Sequence, residues 1–273
     1  MQIDRLSLRG FRNYEDAQAQ FVPGVNLLVG GNANGKTNLL EAVSYLSTGR
    51  SFRTRREAEL IRFGADFADL RAQVQSQERT RELRAVLFSG RRPRQLWLAG
   101  VKQRSRAALS GVLTSVLFCP EDLMILKKGA SGRRRLMDGV ICQLRPNYEA
   151  ALAEYGRLLD QKTALLRERY DNPSLLQVLP EYDLRMAQTG ALVISYRARY
   201  VKALAQEAAR YHREFSGDSE TLELTYRTVS TVTDPFAPPE TLCAQLQEHQ
   251  RSHARAELES AQCLSGPHKD DFE

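Results

Sequence analysis

The sequence predicts an α/β fold in which a mixed sheet with an antiparallel layer surrounds a phosphate-binding loop, and in which a helical, coiled-coil-like lobe is inserted. Three observations predict it. A glycine-rich loop lies between an apolar run and an amphipathic stretch within residues 25–46. Short alternating patterns follow up to about residue 118, and helical spacings dominate after residue 120. Period-two alternation is typical of half-buried strands, whereas three- and four-residue spacing is typical of helices.

The glycine-rich loop Gly30–Thr37 matches the pattern G-x-x-x-x-G-K-T without interruption. The apolar run at residues 25–29 predicts a strand before it, and the apolar spacing at residues 39–46 predicts a helix after it. In this context backbone N–H groups and the helix N-terminus bind phosphate, Lys36 reaches the β- and γ-phosphates, and the Thr37 hydroxyl ligates Mg²⁺. The residues predicted to bind the nucleotide are Gly30, Gly31, Asn32, Ala33, Asn34, Gly35, Lys36, Thr37 and Asn38.

Other strands are predicted from shorter patterns. Residues 68–74 and 83–87 alternate apolar and polar side chains, and short apolar runs occur at 96–98 and 116–118. The Pro-Gly pair within Phe21–Val25 predicts a turn that returns the N-terminal strand toward the loop. Because βα units alone would not give so many short, close strands, we expect an antiparallel layer beside the nucleotide-binding sheet.

Helices are predicted from about residue 120 onward. One helix spans 147–170, between Pro146 and Pro173, with its apolar face at Tyr148, Leu152, Tyr155, Leu159 and Leu166. A second ends at residues 216–218 and has a seam of mostly small residues at Leu184, Ala187, Ala191, Ile194, Ala198, Val201, Ala205 and Ala208. We expect the seam to pack along the first helix; a core helix of a globular bundle is the alternative. A strand at 222–226, a proline-rich connector and a helix at about 240–259 follow.

Composition indicates a soluble globular protein. Of its 273 residues 42% are hydrophobic and 26% charged, and no apolar run is long enough to span a bilayer. The N-terminus lacks the apolar core of a signal peptide, so we expect a cytoplasmic protein. The four cysteines are widely spaced, which indicates small hydrophobic residues or free thiols and no disulfide framework. His249 and His253 could share a helix face, either as a partial metal site or as part of a solvated helix.

Basic residues favour a polyanionic partner. The net charge is +6, and basic residues form three clusters that contain no acidic residue: Arg50, Arg53, Arg55 and Arg56; Arg91, Arg92, Arg94, Lys102, Arg104 and Arg106; Lys127, Lys128, Arg133, Arg134 and Arg135. Each cluster could also be a solvated face with structural ion pairs, but together they favour nucleic acid. The candidates for DNA phosphate contacts are Arg50, Arg53, Arg92, Arg94, Lys102 and Arg104.

Several segments, in this order and spacing, resemble the RecF family of bacterial recombination-repair ATPases in the ABC/SMC-like group. They are Phe11–Tyr14, Gly31–Ala42, Gly49–Arg53, Pro120–Leu123, Arg133–Arg134 ahead of Asp138, the helix around Tyr155–Leu166, and Gly266–Asp271. Lys269 stands where the family has arginine, and Met137 where it has leucine. Lysine keeps the charge but loses the bidentate fork of arginine.

The resemblance implies an ABC-type P-loop ATPase head with an inserted helical lobe. Residues 1–118 plus 260–273 would form the ATP-binding lobe, and residues 119–259 the mainly helical arm. It places Arg12 near the nucleotide. It also implies an ATP-dependent homodimer that binds double-stranded and gapped DNA, works with RecR and RecO, and promotes RecA loading in repair and replication restart.

The family's ABC signature loop and its Walker B carboxylates lie beyond the element that resembles Gly266–Asp271, and the chain ends at Glu273. We identify no catalytic residue, and we expect this chain to bind ATP without hydrolysing it alone. Two further functions remain open. One is a non-catalytic interaction module that is controlled by nucleotide. The other is a small-molecule P-loop kinase, which would leave the basic clusters unexplained.

Overall fold

A computed structural model describes residues 1–76, 79–125, 127, 129–169 and 171–273. Contacts divide the chain into two units. The first comprises residues 1–118 and 142–146, and the second residues 119–141 and 147–273. The segment 260–273 therefore packs within the second unit, whereas the sequence places it with the first lobe. The assignment of these residues to an ATP-binding lobe and an arm remains a prediction.

The first unit is built on a six-stranded antiparallel sheet in the order β2-β1-β3-β4-β5-β6. Its strands are β1 (Gln2–Phe11), β2 (Tyr14–Gln20), β3 (Phe67–Ser76), β4 (Arg79–Phe88), β5 (Gln95–Leu98) and β6 (Val101–Gln103). Helix α1 (Lys36–Thr48) packs on one face of this sheet. The chain is thus a mixed α/β protein with an antiparallel sheet. A mixed sheet would also contain parallel strands, and these remain a prediction.

Alternation explains why β3 and β4 form. Ala68, Leu70, Leu83 and Ala85 are buried, and they alternate with polar neighbours along their strands. In register, Leu70 lies opposite Ala85. Because successive side chains of a strand point to opposite faces, this pattern gives the sheet one apolar face, which contacts Ala42 and Tyr45 of α1 through a common core. The predicted strands at 68–74, 83–87 and 96–98 are confirmed.

Two predicted strands are wrong. The apolar run before the loop is not a strand, and Val25, Leu27 and Val29 are 92%, 83% and 82% exposed. The run at 116–118 is also irregular, with Val116 and Phe118 exposed. A strand needs pairing partners as well as apolar side chains. Within the described residues, the edge strands β2 and β6 pair with neither run.

The second unit is mainly helical. Its helices are α2 (Ala130–Leu144, whose last turn is counted with the first unit), α3 (Pro146–Glu168), α4 (Leu179–Ser216) and α5 (Pro239–Ser260). The predicted helices at 147–170 and 240–259 are confirmed. So is the end of α4, where Gly217 takes a left-handed conformation and its N–H donates to the Arg213 carbonyl. In place of the predicted strand at 222–226, only β7 (Tyr226–Arg227) pairs with β8 (Asp271–Phe272).

The alanine seam of α4 packs on a different helix from the one predicted. Ala187, Ala191 and Ile194 are fully buried in a cluster with Leu242 and Leu246 of α5. Helix α3 joins α4 through a separate cluster at Tyr155, Leu158 and Met186. The spacing predicted the middle of the buried face correctly, from Ala187 to Val201, whereas Leu184 is exposed and Ala205 and Ala208 are half-buried. It could not predict the partner, because a small-residue seam fits any helix that can approach closely.

Candidate nucleotide site

The predicted phosphate-binding loop leads directly into α1, which begins at Lys36. Gly35 has φ +96°, and a Cβ there would lie 2.8 Å from the Tyr14 hydroxyl and 2.9 Å from the Asn13 amide. Only glycine fits this position, because the backbone conformation and the space both exclude a side chain. The Lys36 ammonium donates to the carbonyl oxygens of Gly30 (2.6 Å) and Gly31 (2.8 Å), so it lies over the loop.

The N-terminus of α1 is suited to an anion. All residues of this helix are described; no acidic residue occurs in its first turn, and no side chain caps it. The first backbone N–H groups of a helix lack partners within the helix, and they carry a partial positive charge. The loop residues Gly31–Asn34 and Thr37 are exposed. These features fit the triphosphate and Mg²⁺ that the sequence predicts, with Lys36 and Thr37 supplying the ammonium and hydroxyl.

Glu41, on the second turn of α1, is fully buried and binds three side chains. Arg12 forms a fork with it (Nε to Oε2, 2.8 Å; Nη2 to Oε1, 2.7 Å). The Ser51 hydroxyl donates at 2.5 Å, and Arg53 lies at 3.3 Å. Burial alone would raise the pKa of Glu41, but these hydrogen bonds and the two arginine charges lower it below its usual value of 4.5. Glu41 therefore remains ionised and fixes both arginines beside α1.

A chain of amides extends this network to the first turn of α1. The Arg53 Nη1 atom donates to Asn38 Oδ1 at 2.7 Å, and Asn38 Nδ2 donates to Asn13 Oδ1 at 2.7 Å. The Tyr14 hydroxyl donates to the Gly35 carbonyl at 3.1 Å. The resembling segments Phe11–Tyr14, Gly31–Ala42 and Gly49–Arg53 thus meet in one place. Arg12 also donates to the Glu59 carbonyl at 2.7 Å, and its contact with nucleotide remains a prediction.

The candidate DNA-contact residues lie in different environments. Arg94 is partly buried and binds Tyr45, the Gly49 carbonyl and Glu57. The Arg92 guanidinium lies over the Phe88 ring at 4.0 Å. Lys102 is exposed on β6. Arg50 and Arg104 are exposed as well, and Arg53 joins the Glu41 network. That these residues contact DNA stays a prediction.

In the third basic cluster, two arginines bind the element Gly266–Asp271. Arg133 forms a fork with Asp271 (2.7 and 2.6 Å), and Arg134 donates to the Asp270 carbonyl at 2.5 Å. Lys128, predicted with them, lies outside the described residues. These arginines are therefore engaged within the chain.

The element Gly266–Asp271 is also bound by α3 and α4. Arg197 is 3% exposed and donates to Asp138, Asp270 and the Pro267 carbonyl. The Tyr155 hydroxyl is 2.6 Å from His268 Nδ1, while His268 Nε2 is 2.9 Å from the Cys263 carbonyl. The carbonyl can only accept, so Nε2 carries the proton and Nδ1 accepts from Tyr155.

The histidine pair of α5 is buried on one side. The rings of His249 and His253 stack at 3.9 Å, and His249 Nδ1 is 2.8 Å from the Ser265 hydroxyl. Burial, and then the charge of His253, lowers the pKa of His249. Within the described part of the chain, no group of three or more His, Cys, Asp or Glu side chains is placed to hold a metal ion. In the same part, no helix combines the length and apolarity of a membrane span.

Sequence reasoning placed Glu41, Asn13 and Ser51 in the resembling segments but assigned them no role. A signal was present for the first, since a glutamate in the apolar sequence Leu39-Leu40-Glu41-Ala42 stands at a buried position of the helix. Buried carboxylates are found with partners, so Glu41 could have been matched to an arginine. Which arginine it binds depends on the turn between β1 and β2, which spacing alone does not give.

Comparison with known proteins supplies independent findings. Residues 2–92 match the domain family described as RecF/RecN/SMC N terminal domain. The chain is 39% identical to the DNA replication and repair protein RecF of Symbiobacterium thermophilum, across 99% of this chain and 71% of that protein. It is 38% identical to RecF of Synechococcus sp. strain JA-2-3B'a(2-13), across 100% of this chain and 72% of that protein.

Solved structures agree with this. A structure described as the recombination mediator protein RecF-ATP in the RecFOR pathway superposes with TM-score 0.91 at 29% identity, over 99% of this chain and 72% of that one. A second, described as RecF-ATPrS in the same pathway, gives TM-score 0.90 at 27% identity, over 100% and 72%.

Proposed function

The chain belongs to the RecF family of DNA replication and repair proteins, and on that premise we propose that it is an ATP-dependent DNA-binding clamp of recombinational repair and replication restart. The proposal places ATP on residues 30–38, with Lys36 on its phosphates and Thr37 on Mg²⁺. Two copies close in an ATP-dependent manner on double-stranded DNA near single-strand gaps. The partners are RecR and RecO, and the outcome is RecA loading.

The observation that carries the proposal is the loop at the uncapped N-terminus of α1. Gly35 leaves no Cβ in the loop, Lys36 lies over it, and the first turn of the helix has no acidic residue. These features suit an anion with several phosphates, which supports the proposal. The two solved RecF structures are described with ATP and with ATPrS, which supports the choice of nucleotide.

The Glu41 network supports a link between nucleotide and DNA. Asn38 lies in the first turn of α1, and its side chain binds Arg53, one of the candidate DNA contacts. Glu41 binds the same arginine. A change at the first turn of α1 would therefore move the basic segment that follows the helix. We propose that this is how ATP, when bound, alters the affinity for DNA.

The test is binding of gapped DNA with ATP, with ADP and without nucleotide, over a salt series. ATP should strengthen binding, and Lys36→Met should abolish the ATP effect because the ammonium on the phosphates is lost. The matched control is Lys202→Met, which removes a lysine of α4 that lies over Phe236 and outside the loop. A steep salt slope is expected, since phosphate contacts release counterions. Binding that ignores both nucleotide and salt would exclude the clamp.

A further inference from the structure

His249 and His253 lie one turn apart on α5, and neither belongs to the proposed nucleotide site. Side chains at positions i and i+4 of a helix share one face. The two rings stack with their centroids 3.9 Å apart and with an angle of 8° between their planes. Histidines at this spacing on a helix are a recurring pair of zinc ligands. The pair therefore meets the first requirement of a metal site, which is two nitrogen donors within reach of one ion.

Hydrogen bonds assign the proton of each ring to Nδ1. His253 Nδ1 is 2.9 Å from the His249 carbonyl, which can only accept, so this nitrogen donates. His249 Nδ1 is 2.8 Å from the Ser265 hydroxyl, and that hydroxyl directs its own proton to the His249 carbonyl at 3.3 Å. The Ser265 oxygen is thereby left to accept from His249 Nδ1. A neutral imidazole with its proton on Nδ1 has its lone pair on Nε2. Both rings therefore present Nε2 as the atom that can bind a metal.

Both Nε2 atoms are open to an ion. Among the described residues neither atom has a hydrogen-bond partner, and neither belongs to the polar atoms that are fully shielded without one. Each Nε2 atom therefore touches solvent, although His249 is buried and His253 half-buried. The two acceptors of the Nδ1 protons lie 3.3 Å apart, so the Nδ1 atoms are side by side. Because both rings are attached to one helix and stack in parallel, their Nε2 atoms are side by side as well, at about the ring spacing.

The ring spacing suits a single transition-metal ion. Bonds from zinc to imidazole nitrogen are about 2.0–2.1 Å long, so one ion can join two nitrogens up to about 4.2 Å apart. A tetrahedral angle at the ion needs about 3.4 Å between them. A small rotation of the half-buried His253 ring supplies the difference. The oxygens on the Nδ1 atoms already orient both rings, as the outer partners of metal-bound histidines do.

The pair has no third protein ligand within the described part of the chain. Glu257 continues the same face of α5, but its carboxylate binds the buried Lys162 and accepts from the N–H groups of Leu264 and Ser265. No group of three or more ligating side chains occurs among the described residues. Water would fill the other positions around the ion, so the site is an open one. It is weaker than a structural zinc site, in which the protein supplies four ligands.

We propose that His249 and His253 bind one divalent transition-metal ion (Zn²⁺, Ni²⁺ or Cu²⁺) through their Nε2 atoms. Imidazole suits these ions, whereas Mg²⁺ takes oxygen ligands. The site is therefore distinct from the proposed Mg²⁺ position at Thr37, and it needs neither nucleotide nor DNA. By polarising the His249 ring, the ion also strengthens the hydrogen bond from Nδ1 to Ser265. It thus fixes α5 to the segment that leads into Gly266–Asp271.

The test titrates the whole chain with Zn²⁺, without nucleotide, and follows the imidazole nitrogens by ¹⁵N NMR of histidine-labelled protein. The sequence has four histidines, so each can be assigned by substitution. The Nε2 signals of His249 and His253 should shift together and saturate at one ion per chain. The signals of His268 should stay in place, because Tyr155 and the Cys263 carbonyl occupy both of its nitrogens.

Calorimetric titration with Zn²⁺ then compares three variants. Ser265→Ala keeps both ligands and should weaken binding by about tenfold, the lower end of the effect of outer partners. His253→Ala removes a ligand and should weaken binding by more than that. The matched control is His212→Ala, which removes a histidine of α4 that faces Glu220 and should bind Zn²⁺ like the wild type.

Thermal unfolding without metal shows that each variant is folded, and added Zn²⁺ should raise the Tm of the wild type and of His212→Ala but not of His253→Ala. Equal Zn²⁺ affinities of His253→Ala and His212→Ala would overturn the proposal. So would Zn²⁺ binding that leaves the Nε2 signals of both α5 histidines unchanged, since the ion would then lie elsewhere, for instance on a cysteine.

Discussion

Replacing Arg197 with methionine should destabilise the second unit strongly. Its guanidinium is 3% exposed, and it donates to Asp138 at 2.9 Å with both Nε and Nη2. Its Nη1 atom donates to Asp270 at 3.0 Å. Methionine fills a similar volume but supplies no donor and no charge. Two buried carboxylates would then lose their only arginine within the described residues.

The magnitude follows from the burial of those carboxylates. Removing one partner of a buried ion pair costs about 3–5 kcal/mol, because the other charge is left uncompensated. The Asp270 side chain is fully buried and that of Asp138 is 12% exposed, so neither can be rehydrated cheaply. Taking about 4 kcal/mol, and a Tm shift of about 2–4 °C per kcal/mol for a unit of this size, the Tm should fall by about 8–16 °C.

The assay is thermal unfolding followed by far-UV circular dichroism, to which the helices of the second unit contribute most. The matched control is Arg199→Met, which removes an exposed arginine two residues along the same helix and should change stability by no more than about 0.5 kcal/mol. Adding Asp138→Asn to Arg197→Met should cost less than the sum of the single changes. If Arg197→Met behaves like Arg199→Met, or if the two costs simply add, the reasoning about the buried pair is refuted.

Three other substitutions test groups with shifted pKa values or buried charge. The pKa of Glu41 is lowered in the folded state, so the wild type should be more stable than Glu41→Gln above pH 4.5. This difference in stability should disappear as the pH falls through the folded-state pKa of Glu41. A difference that persists in acid contradicts the prediction. Lys162→Met removes a buried lysine that lies 2.5 Å from Asp183 and also binds Glu257. The free energy of unfolding, measured in urea, should therefore fall by about 3 kcal/mol. Adding Glu257→Gln should restore part of this loss. Burial lowers the pKa of His268 from 6.5 to about 4, so the wild type should lose stability as the pH falls from 6.5 toward 4. His268→Gln should lose less over this range, because only the lowered pKa of His249 then contributes among the buried histidines. Parallel Tm–pH curves of the two proteins would count against a neutral buried ring at position 268.

The sequence predicted those elements whose pattern is decided locally. The alternation at 68–74 and 83–87 predicted β3 and β4, because one face of each strand packs on α1 and the other face points away from it. The glycine at residue 217 predicted where α4 ends. The run at 25–29 has the composition of a buried strand but lies exposed, since pairing depends on another segment and not on the run itself.

In the candidate site, too, the local part could be predicted from the sequence, whereas the contacts between distant residues could not. The loop and the start of α1 follow from eight consecutive residues, so spacing was sufficient to find them. The Glu41 network joins residues 12, 41 and 53, and strand register places Arg84 opposite Trp97. Such partners are set by how β1, β4 and β5 pair, which a single sequence does not show. The basic clusters predict DNA contacts, and that stays a prediction; they could not show that Arg94 and Arg133 are held by carboxylates within the chain.

The segment Gly266–Asp271 has a consequence for how the second unit forms. Its partners Arg133, Tyr155 and Arg197 precede their contacts in it by 138, 113 and 73 residues along the chain. While the chain is being synthesised, α2, α3 and α4 are complete long before Asp270 exists to neutralise Arg197. Contacts of such separation close late and slow folding. The helices of this unit should therefore emerge from the ribosome as a loosely packed intermediate, and become cooperative only after residue 271 has left the exit tunnel.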